Sequence, residues 1–328
     1  MEKDLKAKYN KEIVEKLLKR FRVNYADADL VGTHQNYVYK AQVDGHNIYI
    51  RITLNNHRSV EQIKAEIDMI QYLSARELDV AKPIASVNSN FVETMVDENT
   101  LFIAVAFTEA NGLGFGWYRW NSNIPYRVGV MTGKLHNILE DYAPRTKDRP
   151  TWFENTFIEN AMQYLPSDHE KVIEELKSLI KEISQLPQPK SAYGLIHGDI
   201  VACNYHMTED SISLFDFDEA SYCWFLNDIA ISTFYDSLTL RGNIDIEGTK
   251  KSFVTFIKGY QSVRPIDKYW LQKLPLFIRL REIILYVSIH QSKDVTNLSE
   301  WARIFMDGRK ERIEQGVPYV ELNFEDLI

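Results

Sequence analysis

The chain reads as an α+β fold, with strands concentrated in its first third and helices in the remainder. Three observations predict this. Residues 38–54 alternate with a period of two around the turn dipeptide Asp44-Gly45, which is a hairpin signature. From Ile124 onward the apolar residues recur at helical spacing instead. Between these regions an apolar run, Leu101 to Phe107, enters a polar, Gly-containing stretch from Thr108 to Gly114, as a buried strand leading into a connector would.

Composition narrows the function classes. The chain has 328 residues, 45% hydrophobic and 26% charged, enough for a sizeable core. Its net charge of −8 and the lack of a basic stripe argue against a nucleic-acid partner. The two cysteines, Cys203 and Cys223, form no C-x-x-C pattern, so a disulfide framework is not indicated and a cytoplasmic compartment is expected. The charged opening Met1-Glu2-Lys3-Asp4 is no signal peptide, and the Leu101–Phe107 run is too short to span a bilayer, so no membrane association is expected.

In chain order, Ile13, Leu17 and Leu18 predict a packing helix over 4–22. Val38, Ala41 and Val43, then Ile48, Ile50 and Ile52, form the two arms of the hairpin. Arg51 lies inside the second arm, where a cation either faces solvent or is aimed at a ligand. Ser59-x-x-Gln62 is a capping box opening a helix over 59–78, with Ile63, Ile67, Ile70 and Leu73 as its buried stripe and Glu66 beside it. Pro83 breaks the chain, and strands follow at 84–87, 91–95 and 101–107. Helices are expected from Ile124, over 151–164, and over 168–186 behind a Ser167-x-x-Glu170 capping box. Further helices are expected over 248–262, 266–291 and 297–315. Arg279, Arg281 and Glu282 are either the exposed face of their helix or groups pointing into a cleft.

The chemistry is concentrated between His197 and Asp218. His197-Gly198-Asp199 is followed by Asn204, and the alternation Ile212, Leu214 delivers Asp216-Phe217-Asp218. A loop carrying Asp and Asn, followed by a hairpin ending in Asp, is what metal-dependent phosphoryl transfer requires. One carboxylate orients an acceptor hydroxyl, while an amide oxygen and a second carboxylate offer hard ligands to Mg2+.

The pattern H-G-D-x4-N followed by D-F-D, with Asp228-Ile229-Ala230 after it, resembles the aminoglycoside phosphotransferase and choline kinase-like family, small-molecule relatives of protein kinases. The resemblance spans roughly 25–235 and implies a bilobal protein-kinase-like fold. An antiparallel-sheet N-terminal lobe would cover 1–108, and a larger helical lobe carrying catalysis and acceptor binding would cover 109–328. It implies Asp199 as the catalytic base, Asn204 and Asp216 as Mg2+ ligands, and His197 and Asp228 as supports of the loop. Gly32, Gln35 and Asn36 would approach the phosphates of ATP, GTP not being excluded, and Arg51 would contact them while paired with Glu66. Backbone groups near Phe107 to Glu109 would hold the adenine edge. Gly198 stands where a protein kinase carries Arg, and Asp218 where it carries Gly; both departures favour the small-molecule branch.

The implied function is transfer of the γ-phosphoryl group to a hydroxyl of a small molecule. Alternatives are a Ser/Thr protein kinase of the bacterial stress-response type, a nucleotide-binding module without turnover, and an adaptor on the same fold. Candidate acceptor-pocket residues are Asp218, Glu219, Tyr222, Trp224 and Arg281, although the aromatic group reads first as core. His136 reads as structural. The acceptor's identity and the oligomeric state are not legible in the residues.

Overall fold

The computed structural model describes residues 8–117, 121–145, 148–238, 242–292 and 295–328. Two compact units emerge. The first comprises Met1–Leu113, Tyr142–Arg149 and Tyr205–Asp218, and the second Gly114–Asp141, Pro150–Asn204 and Glu219–Ile328. The single boundary drawn after residue 108 therefore gives way to an interleaved division, with the segment 205–218 returning to the first unit.

The first unit is built on an antiparallel sheet in the order β1 (Asp29–Gly32), β2 (Tyr37–Val43), β3 (His46–Leu54), β6 (Thr100–Thr108) and β4 (Pro83–Ile84), with β5 (Glu93–Asp97) also paired to β6. Asp44 and Gly45 both take positive φ, 52° and 80°, which the two-residue hairpin between β2 and β3 requires. Strand parity then assigns each face. Ile48, Ile50, Ile52 and Leu54 pack with Tyr37, Tyr39 and Ala41 beneath helix α1 (Lys11–Arg20), whose Ile13, Val14, Leu17 and Leu18 close that core. The opposite face carries Ile103 and Val105, covered by Ile63 and Ile67 of helix α2 (Val60–Ser74). Arg51 and Thr53 have the odd parity and share this second face.

Helix α2 starts at the Ser59–Gln62 capping box that the sequence announces, with both reciprocal bonds formed. Its stripe Ile63, Glu66, Ile67, Ile70 runs at i, i+3, i+4, i+7, so Glu66 is carried into the interior with its apolar neighbours. The hairpin β8 (Tyr205–Met207) and β9 (Ile212–Leu214) completes the unit, and Leu214 is tied to the 79–81 segment by backbone bonds.

The second unit is mainly helical: α3 (Ile124–Glu140), α4 (Glu170–Ser184), α5 (Leu226–Asp236), α6 (Ile246–Gln261) and α7 (Lys268–Ser292). A short ribbon pairs β7 (Tyr193–Ile196) with β10 (Ser221–Trp224). Helices α3 and α6 touch backbone to backbone. A Cβ built on Gly129 would lie 2.0 Å from the Phe256 carbonyl oxygen, and one on Gly259 1.9 Å from that of Tyr126.

Several expected elements differ. The helix over 151–164 is broken into a 3-10 turn, Trp152–Glu154, and two short helices, Thr156–Glu159 and Ala161–Tyr164. Asn155 and Asn160 stand at the breaks, each as an N-cap residue. Ser167 lies in a 3-10 turn ahead of α4, whose N-cap position falls to His169, and the working capping box in this region is Thr151 with Glu154. The 297–315 helix is split at Gly308, where φ is +62°. The first helix begins at Lys11, and residues 4–7 of its expected span lie outside the described residues. No helix among the described residues is long and apolar enough to cross a membrane.

The glycine contact is testable. Gly259→Ala should force α3 and α6 apart and cost about 1–3 kcal/mol, the usual range for overpacking. A lower urea midpoint is the expected result, and an unchanged midpoint would refute the close packing.

Candidate active site

Within the first unit, one cavity of about 290 Å³ gathers Gly32, Asn36, Arg51, Glu66, Phe107 and Asp216. The Arg51 guanidinium forks onto the Glu66 carboxylate, with Nη1 donating to Oε1 at 2.9 Å and Nη2 to Oε2 at 2.6 Å. Arg51 also stands 3.9 Å from Asp216 and from Asp218, with its guanidinium 5.6 Å from the Phe107 ring centroid. Burial opposes its charge, but Glu66, Asp218 and Asp216 outweigh that and hold it firmly protonated. Its Nε–H is buried with no hydrogen-bond partner. Val31, Val38, Ala81 and Phe215 supply apolar walls that the sequence did not mark as ligand-facing.

Two expected nucleotide residues lie elsewhere. Gln35 is not among the residues lining this cavity. Glu109 lines a second cavity of about 770 Å³, and its carboxylate accepts from Lys40, Asn47 and Tyr49. Its backbone N–H is given to the Asn47 carbonyl, and that of Thr108 to Lys82, so neither of these amides is available to a base edge.

Asp218 is not an acceptor-pocket residue. Its carboxylate is buried in the first unit, bonded by His57 Nε2 at 2.7 Å, Arg58 Nε at 3.3 Å and Asn36 Nδ2 at 3.5 Å. Burial would disfavour its ionisation, yet Arg58, His57 and Arg51 hold it well below the usual carboxylate range. Arg58 and Arg149 also donate to its backbone carbonyl. This clamp holds the chain beside Asp216, whose φ of +61° lies in the left-handed region that costs a non-glycine residue energy.

The second unit holds the H-G-D-x4-N loop. Asp228, at the start of α5, is fully buried and accepts the backbone N–H groups of His197 at 3.0 Å and Gly198 at 2.8 Å. Its third partner is His136 Nε2 at 3.2 Å, and His136 Nδ1 meets the Tyr260 hydroxyl at 2.9 Å. Gly198 has φ of +82°, and a Cβ there would sit 2.3 Å from the Glu219 carbonyl oxygen, so no side chain can replace glycine without moving the loop. His197 is buried, and its Nδ1 accepts the Asp199 N–H at 3.2 Å.

Asp199 has both oxygens occupied. Asn204 Nδ2 donates to Oδ2 at 2.8 Å, and Arg281 Nη2 donates to Oδ1 at 2.6 Å. The side chain retains 24% exposure, so the carboxylate stays reachable. The charged trio on α7 separates by partner: Arg279 pairs with Glu175, Glu282 with Arg309, and only Arg281 reaches the catalytic loop. Trp224 is core: it is buried, donates to the Pro187 carbonyl, and packs edge-on against Trp152 and Tyr193. Tyr222 is half-buried in β10, where its N–H donates to Pro150. Glu219 lies within electrostatic reach of Arg281. Nothing in the residue pattern marks His57, Arg58 or Arg149 as partners of Asp218, because their pairing spans 69 to 161 residues and follows no motif.

Comparison with known proteins places these features in a family. A profile described as the phosphotransferase enzyme family matches residues 30–247. Amicoumacin kinase of Bacillus subtilis (strain 168) is 29% identical over 341 positions, spanning 99% of this chain and 98% of that protein. A solved amicoumacin kinase, in complex with AMP-PNP, Ca2+ and Ami, superposes with a TM-score of 0.91 at 29% identity and covers 100% of both chains. A microcompartment-associated aminopropanol kinase, 18% identical over 93% of this chain and 97% of its own, reaches 0.75 and shows the fold alone. These likenesses bear out the expected protein-kinase-like α+β fold. The chain belongs to the phosphotransferase enzyme family and is a small-molecule phosphotransferase.

Proposed function

We propose that this enzyme transfers the γ-phosphoryl group of Mg-ATP to a hydroxyl of amicoumacin or of a molecule closely resembling it. The observation that carries this reading is the 0.91 TM-score, over the whole of both chains, to an amicoumacin kinase bound to AMP-PNP and Ami. The named activities of the relatives described above are all on small molecules, which favours that class over a protein acceptor. The need for ATP fits a cytoplasmic enzyme.

In this reading Arg51, fixed by the Glu66 fork, places its guanidinium charge beside the phosphates. Gly32 and Asn36 line the same cavity, and its apolar walls suit a base. Asn204 and Asp216 would hold the divalent cation. They offer an amide oxygen and a carboxylate, the hard donors Mg2+ prefers, and Asn204 has its amide nitrogen already committed to Asp199. Among the described residues no three His, Cys, Asp or Glu side chains cluster as a metal site. Held there, a divalent cation would supply positive charge against the negative charge that develops on the transferred phosphoryl group. Asp199 accepts a hydrogen bond from the acceptor hydroxyl, aligns it for attack on the γ-phosphorus, and takes up the proton as the new P–O bond forms and the bond from that phosphorus to the β–γ bridging oxygen breaks, releasing ADP. Catalysis is then mostly positioning and electrostatic stabilisation.

The direct test incubates purified protein with γ-labelled Mg-ATP and amicoumacin, with choline and 1-amino-2-propanol as comparison acceptors. Label should appear on amicoumacin, and Asp216→Ala should abolish it. Transfer to neither amicoumacin nor the comparison acceptors by active, nucleotide-binding enzyme would overturn the acceptor assignment. The Arg51–Glu66 fork is tested separately by calorimetry. Glu66→Gln should weaken AMP-PNP binding about tenfold, the loss of one charge-assisted bond's worth of alignment. An unchanged Kd would remove Arg51 from the phosphate site.

A further inference from the structure

Asp199 and its surroundings in the second unit show an arrangement that the H-G-D-x4-N motif does not contain. The geometry points to Arg281 as a positioning residue for the reaction, one that fixes the orientation of the Asp199 carboxylate from the far helix α7. This inference rests on the reading of Asp199 as the group that orients the acceptor hydroxyl.

Three observations carry it. First, Asn204 and Arg281 take one carboxylate oxygen each, at 2.8 and 2.6 Å, so the plane of the carboxylate is set by two partners on opposite oxygens. Asn204 alone leaves the side chain free to swing about that single bond. Second, Arg281 is itself held. The Nη2 that serves Asp199 also donates to the Tyr235 hydroxyl at 2.9 Å, and the guanidinium lies 5.1 Å from the Tyr235 ring centroid. Tyr235 sits on α5, the helix whose Asp228 secures the other end of the loop. One helix therefore anchors the loop backbone through Asp228 and, through Tyr235 and Arg281, the catalytic side chain. Third, Arg281 is protected as a cation. Burial opposes its charge, but Tyr235, Asp199 and Glu219 more than compensate. Its Nε–H is buried without a hydrogen-bond partner, so the fork is not saturated by the fold alone. A lysine would bring a point charge and could not combine this stacking with the directed bond.

The test is a double-mutant cycle on the full chain with Mg-ATP and amicoumacin, comparing wild type, Arg281→Gln, Asp199→Asn and the double variant. Arg281→Gln should lower kcat, by up to about 100-fold for a misaligned group, with little change in the acceptor KM. In the Asp199→Asn background the same change should cost nothing further beyond about twofold, because Arg281 acts through Asp199. Tyr235→Phe preserves both charges and removes only the anchoring hydroxyl. It should give a smaller loss of kcat in wild type and none in the Asp199→Asn background, and it serves if Arg281→Gln fails to fold. A rise in acceptor KM at unchanged kcat, or additive losses in the cycle, would overturn the proposal by making Arg281 an acceptor contact. A crystal structure of Arg281→Gln gives a readout independent of any acceptor. Asp199 should lose its single orientation against Asn204, and an Asp199 left in place would equally overturn the role. Failure of the wild-type enzyme to phosphorylate amicoumacin would count against the acceptor assignment alone.

Discussion

The second unit depends on one buried carboxylate. Asp228 is removed from water, and an isolated ionised carboxylate in such a place would be costly by many kcal/mol. Three donors make it tolerable: the amides of His197 and Gly198, and the His136 imidazole. His136 is itself buried, and burial pushes its proton affinity down despite the neighbouring Asp228. Its Nε2 faces Asp228, and the Tyr260 hydroxyl stands on its other nitrogen. The charge is satisfied by aligned dipoles, and the alignment fixes the backbone that precedes Asp199. Tyr260 follows Gly259, so the glycine contact between α3 and α6 is what brings His136 and Tyr260 within bonding distance. Packing of two helices is thus linked, through one imidazole and one carboxylate, to the geometry of the catalytic loop.

The first unit solves a similar problem with cations. Asp218 is buried among His57, Arg58 and Asn36, and Arg51 is buried against Glu66. Breaking a buried pair by removing one partner typically costs about 3–5 kcal/mol, which makes such clusters rigid frames for a neighbouring flexible group. Asp216, two residues before Asp218 and about half exposed, is that neighbour. Its left-handed backbone is held by the clamp on the residues after it. The two units use the same device: a fully engaged carboxylate, Asp228 or Asp218, stands close in sequence or space to a partly exposed one, Asp199 or Asp216.

Much of this was legible in the residues. Period-two alternation predicted the hairpin, and parity placed Arg51 on the face away from Ile50 and Ile52. The helical stripe of α2 set Glu66 beside the buried face, and the pairing with Arg51 that the family resemblance implied is formed. The order of H-G-D-x4-N, D-F-D and D-I-A was enough to indicate the family. The rest was not legible because it depended on contacts between distant segments. Asp218 looked like an acceptor ligand since nothing near it in sequence announced His57 and Arg58, some 160 residues earlier. Trp224, offered as a pocket residue but read first as core, is fully buried. Glu109 looked like a hinge contact, but strand pairing uses its N–H and three side chains use its carboxylate. The helix expected over 151–164 breaks at Asn155, whose side chain accepts the Phe157 N–H and starts a new short helix there.

The central claim is that the buried Asp228 carboxylate presets the catalytic loop before any ligand arrives. Hydrogen exchange at the His197 and Gly198 amides, compared between wild type and Asp228→Asn in ligand-free protein, tests it most directly. The account predicts that both amides are strongly protected in wild type and that Asp228→Asn raises their exchange well above that of the α3 and α6 cores. Equal protection in the two proteins would contradict it, and the loop would then owe its geometry to something other than this carboxylate.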